Sequence, residues 1–173
     1  ALDKGGNYTK AALNAALLEE ENLVSAQAIL LERKRLEDCF RFSTVLDDLF
    51  ERAGLSESRI KAASAALECT ERQGDAKRMA TAYNNLGLAE QAVGNNKAAL
   101  DDFEKALKIS QNIDDKLGMA NAFGNIGIVL SELGEPKKAL DHHQKALELD
   151  REIGNKLGMA NAYHNIGVCL LHT

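Results

Sequence analysis

RMATAYNNLGLAEQAVGN, beginning at Arg78, returns as GMANAFGNIGIVLSELGE from Gly118 and again as GMANAYHNIGVCLLHT from Gly158. The copies start 40 residues apart, and self-similarity at a fixed period of this length marks a stacked-repeat architecture. Within the first copy, Ala80, Ala82, Tyr83, Leu86 and Gly87 form an apolar stripe at helical spacing, and Gly94 is a suitable stop. The rest of the period predicts a second helix from about Asn96 to Asn112, with Ala99, Leu100, Phe103, Ala106 and Leu107 on one face. Pro136 stands just inside the corresponding helix one repeat later, where a missing N–H costs nothing. Neither helix can bury its stripe alone, so the expected fold is an all-α solenoid of helix pairs.

Composition agrees with this and narrows the function. One Pro in 173 residues, with 45% apolar and 27% charged residues, fits a helical globular chain. A net charge of −5 disfavours nucleic-acid binding, which relies on clustered Lys and Arg. No apolar run is long enough to cross a bilayer, and no secretory leader is visible, so neither membrane insertion nor export is expected.

One period back, Asp38–Lys77 keeps Leu46, Gly54, Ile60, Ala66 and Leu67 in register. Asp47 replaces the small Gly of the later copies, however, and Arg59 replaces the small Ala. The expected organisation is therefore a single solenoid over 1–173. Its parts are an atypical helical start at 1–37, a degenerate repeat at 38–77, repeats at 78–117 and 118–157, and the first helix of an incomplete repeat at 158–173. The start is open between one long helix and two helices broken near Glu20–Asn22, and GNYTKAAL at Gly6 reads as a helix opening. The stripe Ala160, Tyr163, Ile166 and Leu170 has no following helix to cover it, so further repeats beyond Thr173, or self-association through an uncapped end, are expected.

Chemistry-bearing residues are few. His142 and His143 point to different helix faces, and His164 and His172 share no ligand spacing with a carboxylate or Cys. These histidines read as solvated or partly buried, with no metal or cofactor expected and no catalytic constellation. Cys39 aligns with Met79 and Met119, Cys69 with Ile109 and Leu149, and Cys169 with Val129. Each Cys is thus expected to pack as a small hydrophobe rather than in a disulfide, and unpaired thiols fit a cytoplasmic, reducing compartment.

The asparagines need a separate explanation. Asn85, Asn125 and Asn165 hold one repeat position, Asn121 and Asn161 a second, and Asn84 and His164 a third. Asn is a poor helix-interior residue because its amide competes with the backbone. Two readings remain open: each Asn bonds a neighbouring repeat, or the amides form a ladder on the concave face, each offering a donor and an acceptor to a peptide backbone.

Tyr83, Leu86, Gly87, Ala99, Phe103 and Ala106, with Phe123, Ile126, Gly127, Ala139 and Ala146, fall at the spacing of the tetratricopeptide repeat, which this chain resembles. Glu90 and His143 depart from it, standing where aromatic residues are usual. The resemblance implies a right-handed superhelix of helix-turn-helix units acting as a non-catalytic protein-binding scaffold. The long period and the Asn-X-Gly element look like the branch that holds kinesin light chain and the spindle-orientation adaptor with Gly-Asn-Leu-Gly repeats. In that branch the matching Asn grips the backbone of an extended peptide, which implies the same role for Asn85, Asn125 and Asn165. Asn84, Asn121, Asn161 and His164 would join them, with Leu88, Ile128 and Val168 as apolar contacts. The first helices from Met79 to Val93 and Met119 to Leu133 carry no Lys or Arg, unlike co-chaperone repeats that clamp carboxylates. A regulatory relay domain and an oligomerisation element are the alternatives.

Overall fold

The structure, a computed structural model, describes residues 14, 15 and 17–171. The helix opening expected at Gly6, and His172, lie outside the described residues. From Glu20 onward the described residues form eight helices in order: α1 Glu20–Glu32, α2 Leu36–Ala53, α3 Ser56–Gln73, α4 Ala76–Ala92, α5 Asn96–Asn112, α6 Lys116–Glu132, α7 Pro136–Glu152 and α8 Lys156–Leu171. No strand occurs among the described residues. None of these helices is long and apolar enough to cross a membrane. The chain divides into two compact units, Ala1–Asp75 and Ala76–Thr173.

The turns reveal a pitch finer than the sequence period. A left-handed residue recurs every twentieth position at Lys34, Gly54, Gly74, Gly94, Asp114, Gly134 and Gly154. Each closes its helix with a long backbone bond from the next residue, such as Asn95 N–H to Glu90 C=O at 2.9 Å and Glu135 N–H to Leu130 C=O at 2.9 Å. This is the Schellman arrangement, which satisfies carbonyls a helix end would otherwise leave open. Lys34 and Asp114 adopt it without being glycine. The chain therefore breaks at Arg33–Arg35, a boundary the absence of Gly and Pro had hidden, and α1 itself begins at Glu20, one of the positions considered for a break.

In the first unit, α2 and α3 form an antiparallel pair around Leu46, Phe50 and Ala62. Gln27 of α1 is buried and donates to the Ala62 carbonyl at 2.8 Å and to the Ser43 hydroxyl. The residues that broke the repeat pattern meet here. Arg59 Nε donates to Asp47 Oδ1 at 2.7 Å, with Arg59 almost wholly buried. Cys39 and Cys69 are joined in a disulfide, their Cα atoms 6.7 Å apart. This corrects the expectation that all three cysteines pack as unpaired hydrophobes. Cys39 and Cys69 occupy facing positions of one helix pair, and a Cα separation in the disulfide range lets them bond. Cys169 lies outside the disulfide, and it is buried as expected. The compartment argument from three unpaired thiols loses its footing.

In the second unit, α4–α5 and α6–α7 form two like pairs, and α8 packs on α7. The core joins Ala99, Phe103, Ile126, Val129, Leu130, Ala139 and Cys169. The repeat glycines permit close approach: a Cβ on Gly87 would lie 2.7 Å from the Phe103 ring, and one on Gly127 would lie 2.5 Å from the His143 ring. His143 is thus fully buried, not solvated, because it fills the Phe103 position of its repeat. On the outer side, Lys105 sits over the Tyr83 ring at 5.3 Å and Lys145 over the Phe123 ring at 5.5 Å, the same cation–π contact one repeat apart.

Candidate functional site

The first helices of the second unit, α4, α6 and α8, lie side by side and expose a groove with a cavity of about 300 Å³. Of the residues expected to form a site, Asn84 and Leu88 on α4, Asn121, Asn125 and Ile128 on α6, and Asn161 and Asn165 on α8 line it. Asn85 and His164 do not. Successive first helices present the lining residues at helical spacing, so five amides converge on one opening.

The Asn ladder is only partly a ladder. Asn125 Nδ2 donates to Asn84 Oδ1 at 2.8 Å, an inter-repeat bond that supports the scaffold reading for this pair. One repeat later the acceptor position is Gly124, which has no side chain to offer Asn165. Asn165 makes no side-chain hydrogen bond among the described residues. The groove thus combines an amide pair joined by one bond, which leaves the Asn125 oxygen available, with amides that make no such bond, and its lining includes no Lys or Arg.

Two residues outside the expected site also line the cavity, both from the second helix α7. His143 is 1% exposed and Asp150 is 4% exposed. The visible signal was their departure from Phe103 and Ser110 at the matching repeat positions. Burial, then the neighbouring His142, pulls the His143 pKa below its ordinary value, which favours neutral imidazole. His142, stacked obliquely against Phe123 at 5.7 Å, is lowered mainly by burial and then by Lys145. Asp150 Oδ1 accepts from Asn155 Nδ2 at 2.7 Å. No group of three or more His, Cys, Asp or Glu side chains suited to a metal occurs among the described residues.

Paired helices at a constant pitch, with an amide-lined groove on the first helices, define a helical-repeat protein of the superhelical class. The chain belongs to the tetratricopeptide repeat family: the family's model matches residues 78–152 and 119–173, together more than half of the chain. Among solved structures it is similar to the crystal structure of BtubC (BKLC) from P. vanneervenii, with a TM-score of 0.68 and 15% identity, over 94% of this chain and 79% of that one. At that identity the likeness speaks for the fold. No curated protein matches the chain significantly by sequence. Repeats of this family generally mediate protein–protein interaction.

Proposed function

We propose that the second unit is a non-catalytic scaffold that binds an extended segment of a partner protein along the groove of α4, α6 and α8, in the manner of the long-repeat branch that includes kinesin light chain. The observation that carries this is the convergence of Asn121, Asn125, Asn161 and Asn165 on one cavity, with Leu88 and Ile128 beside them. An amide offers both a donor and an acceptor, which matches the alternating N–H and C=O groups of an extended backbone. Asn85 and His164 fall outside this reading because they do not line the cavity.

Selection of binders from a random peptide library displayed on phage, using the full chain as bait, tests the proposal. The best peptide should lose at least about tenfold in affinity on an Asn125→Ala/Asn165→Ala variant, the scale of two lost hydrogen bonds. It should be unaffected by Glu148→Ala, an exposed position of α7. Equal binding to the wild-type chain and the double variant would remove the groove from the account.

A further inference from the structure

The cavity is not the same in successive repeats. The smaller cavity formed by α4, α5 and α6 holds about 60 Å³ and is lined in part by Ser110, Asp115 and Gly118. Its carboxylate has internal partners: Asp115 caps α6 by accepting from the Gly118 N–H at 3.3 Å, and Lys77 Nζ lies 3.8 Å away. One repeat later three substitutions alter this arrangement. Asp150 stands at the Ser110 position, Asn155 at the Asp115 position, and Leu117 at the position of the cation Lys77. The later repeat therefore keeps a carboxylate and has lost the lysine that would answer it.

What remains is a nearly buried acid with one hydrogen bond. Asn155 engages Asp150 Oδ1, whereas Oδ2 accepts no hydrogen bond and no basic side chain pairs with the carboxylate, among the described residues. Gly158, with no Cβ, leaves the room the carboxyl occupies. Beside it, His143 Nδ1 is sealed from solvent and has no hydrogen-bond partner. Asp150 lines the cavity with one carboxylate oxygen unengaged, and an open acceptor of this kind favours a guest that supplies N–H donors. The other lining side chains are amides and small or apolar groups. The volume of about 300 Å³ equals roughly ten waters at about 30 Å³ each, room for a long side chain.

We infer that this cavity is a specificity pocket for one basic side chain, Lys or Arg, of the segment bound in the groove. Asp150 receives the cation through Oδ2, and the neutral His143 ring beside it forms part of the pocket wall. This rests on the groove reading above and adds to it which residue of the partner is selected. The amides grip any backbone, and Asp150 discriminates among side chains.

The test uses the same library selection on the full chain. The selected peptides should share one position held by Lys or Arg. Changing that residue to norleucine should cost at least about tenfold in affinity on the wild-type chain, the scale of a lost charge-assisted hydrogen bond. The same change should cost less than about twofold on Asp150→Asn, which keeps the acceptor for Asn155. Selected peptides that depend on Asn125 and Asn165 but show no basic preference, or an acidic one, would overturn the pocket and leave the groove standing. A norleucine penalty equal on both chains would also overturn it, because the cation would then be read elsewhere. Failure to select any peptide, or selected peptides indifferent to Asn125→Ala/Asn165→Ala, would overturn both readings.

Discussion

The two units build the same helix pair with different fastenings. In α4–α5 and α6–α7 a glycine on the first helix receives a ring from the second, Phe103 on Gly87 and His143 on Gly127. In α2–α3 the matching first-helix position carries Asp47, which reaches Arg59 at 2.7 Å, and the Cys39–Cys69 disulfide replaces the apolar pair Met79 and Ile109. Each of these changes, taken singly, looks like decay of the repeat. Taken in pairs they are complementary: an acid meets a base, and a thiol meets a thiol. The turn pitch continues unbroken through both units at Gly54, Gly74 and Gly94, so helix length and turn geometry outlast the particular packing that joins two helices.

The largest expected effect comes from separating the ion pair. Asp47→Ala should destabilise the first unit by about 4 kcal/mol, since it leaves a buried guanidinium with only Glu51, at 3.4 Å, as its partner. Replacing the pair by the later repeats' residues, Asp47→Gly with Arg59→Ala, should recover much of that loss. Hydrogen exchange of the α2 and α3 amides would read both variants, and additive losses would break the claim that the two changes compensate.

Reducing the disulfide, or replacing it by Cys39→Ala/Cys69→Ala, should cost about 3.7 kcal/mol for a loop of this length and leave the second unit unmoved. Chemical denaturation with and without reductant checks this. In the second unit, Gly127→Ala should cost about 2 kcal/mol by crowding the His143 ring. A His143→Ala background should relieve most of that cost, because the clash is with that ring.

The smallest effect is one of pH. His142 and His143 have pKa values lowered in the folded chain, chiefly by burial, while the unfolded value is near 6.5. Both states are neutral above the unfolded value. As pH falls below it the unfolded state takes up protons first, so the second unit loses stability from about pH 6.5 downward until the folded pKa values are reached. Asp102, whose pKa is raised mainly by burial, acts in the opposite sense at lower pH by holding a proton in the folded state, and so offsets part of the loss. The first unit carries none of the four histidines and should show no such loss in this window. His143→Phe, which restores the residue of the preceding repeat, should reduce the dependence to the His142 share, as followed by thermal melts between pH 7.5 and 5.5.

What could be read from the residues follows the same division. Ala80, Gly87, Ala99 and Phe103 announce the helix pair because close packing demands small and large residues at fixed spacing, and Gly94 and Pro136 mark its boundaries. The seven-turn pitch was partly hidden because Lys34 and Asp114 adopt a conformation usually signalled by glycine. The Asp47–Arg59 pair and the disulfide were illegible because each joins positions on two different helices, and a repeat alignment judges positions one at a time. The groove amides on the first helices were visible as an unexplained periodicity. His143 and Asp150 showed only as departures from Phe103 and Ser110, because a repeat alignment does not tell which second-helix residues reach the cavity.

The account turns on the groove of α4, α6 and α8 being the face that holds a partner. Its most direct measurement is nuclear magnetic resonance mapping of the isotopically labelled full chain during titration with the best library-selected peptide. The largest shifts should fall on the backbone and side-chain amides of Asn121, Asn125, Asn161 and Asn165. Largest shifts on α5, on the exposed side of α7 around Glu148, or within the first unit would contradict it.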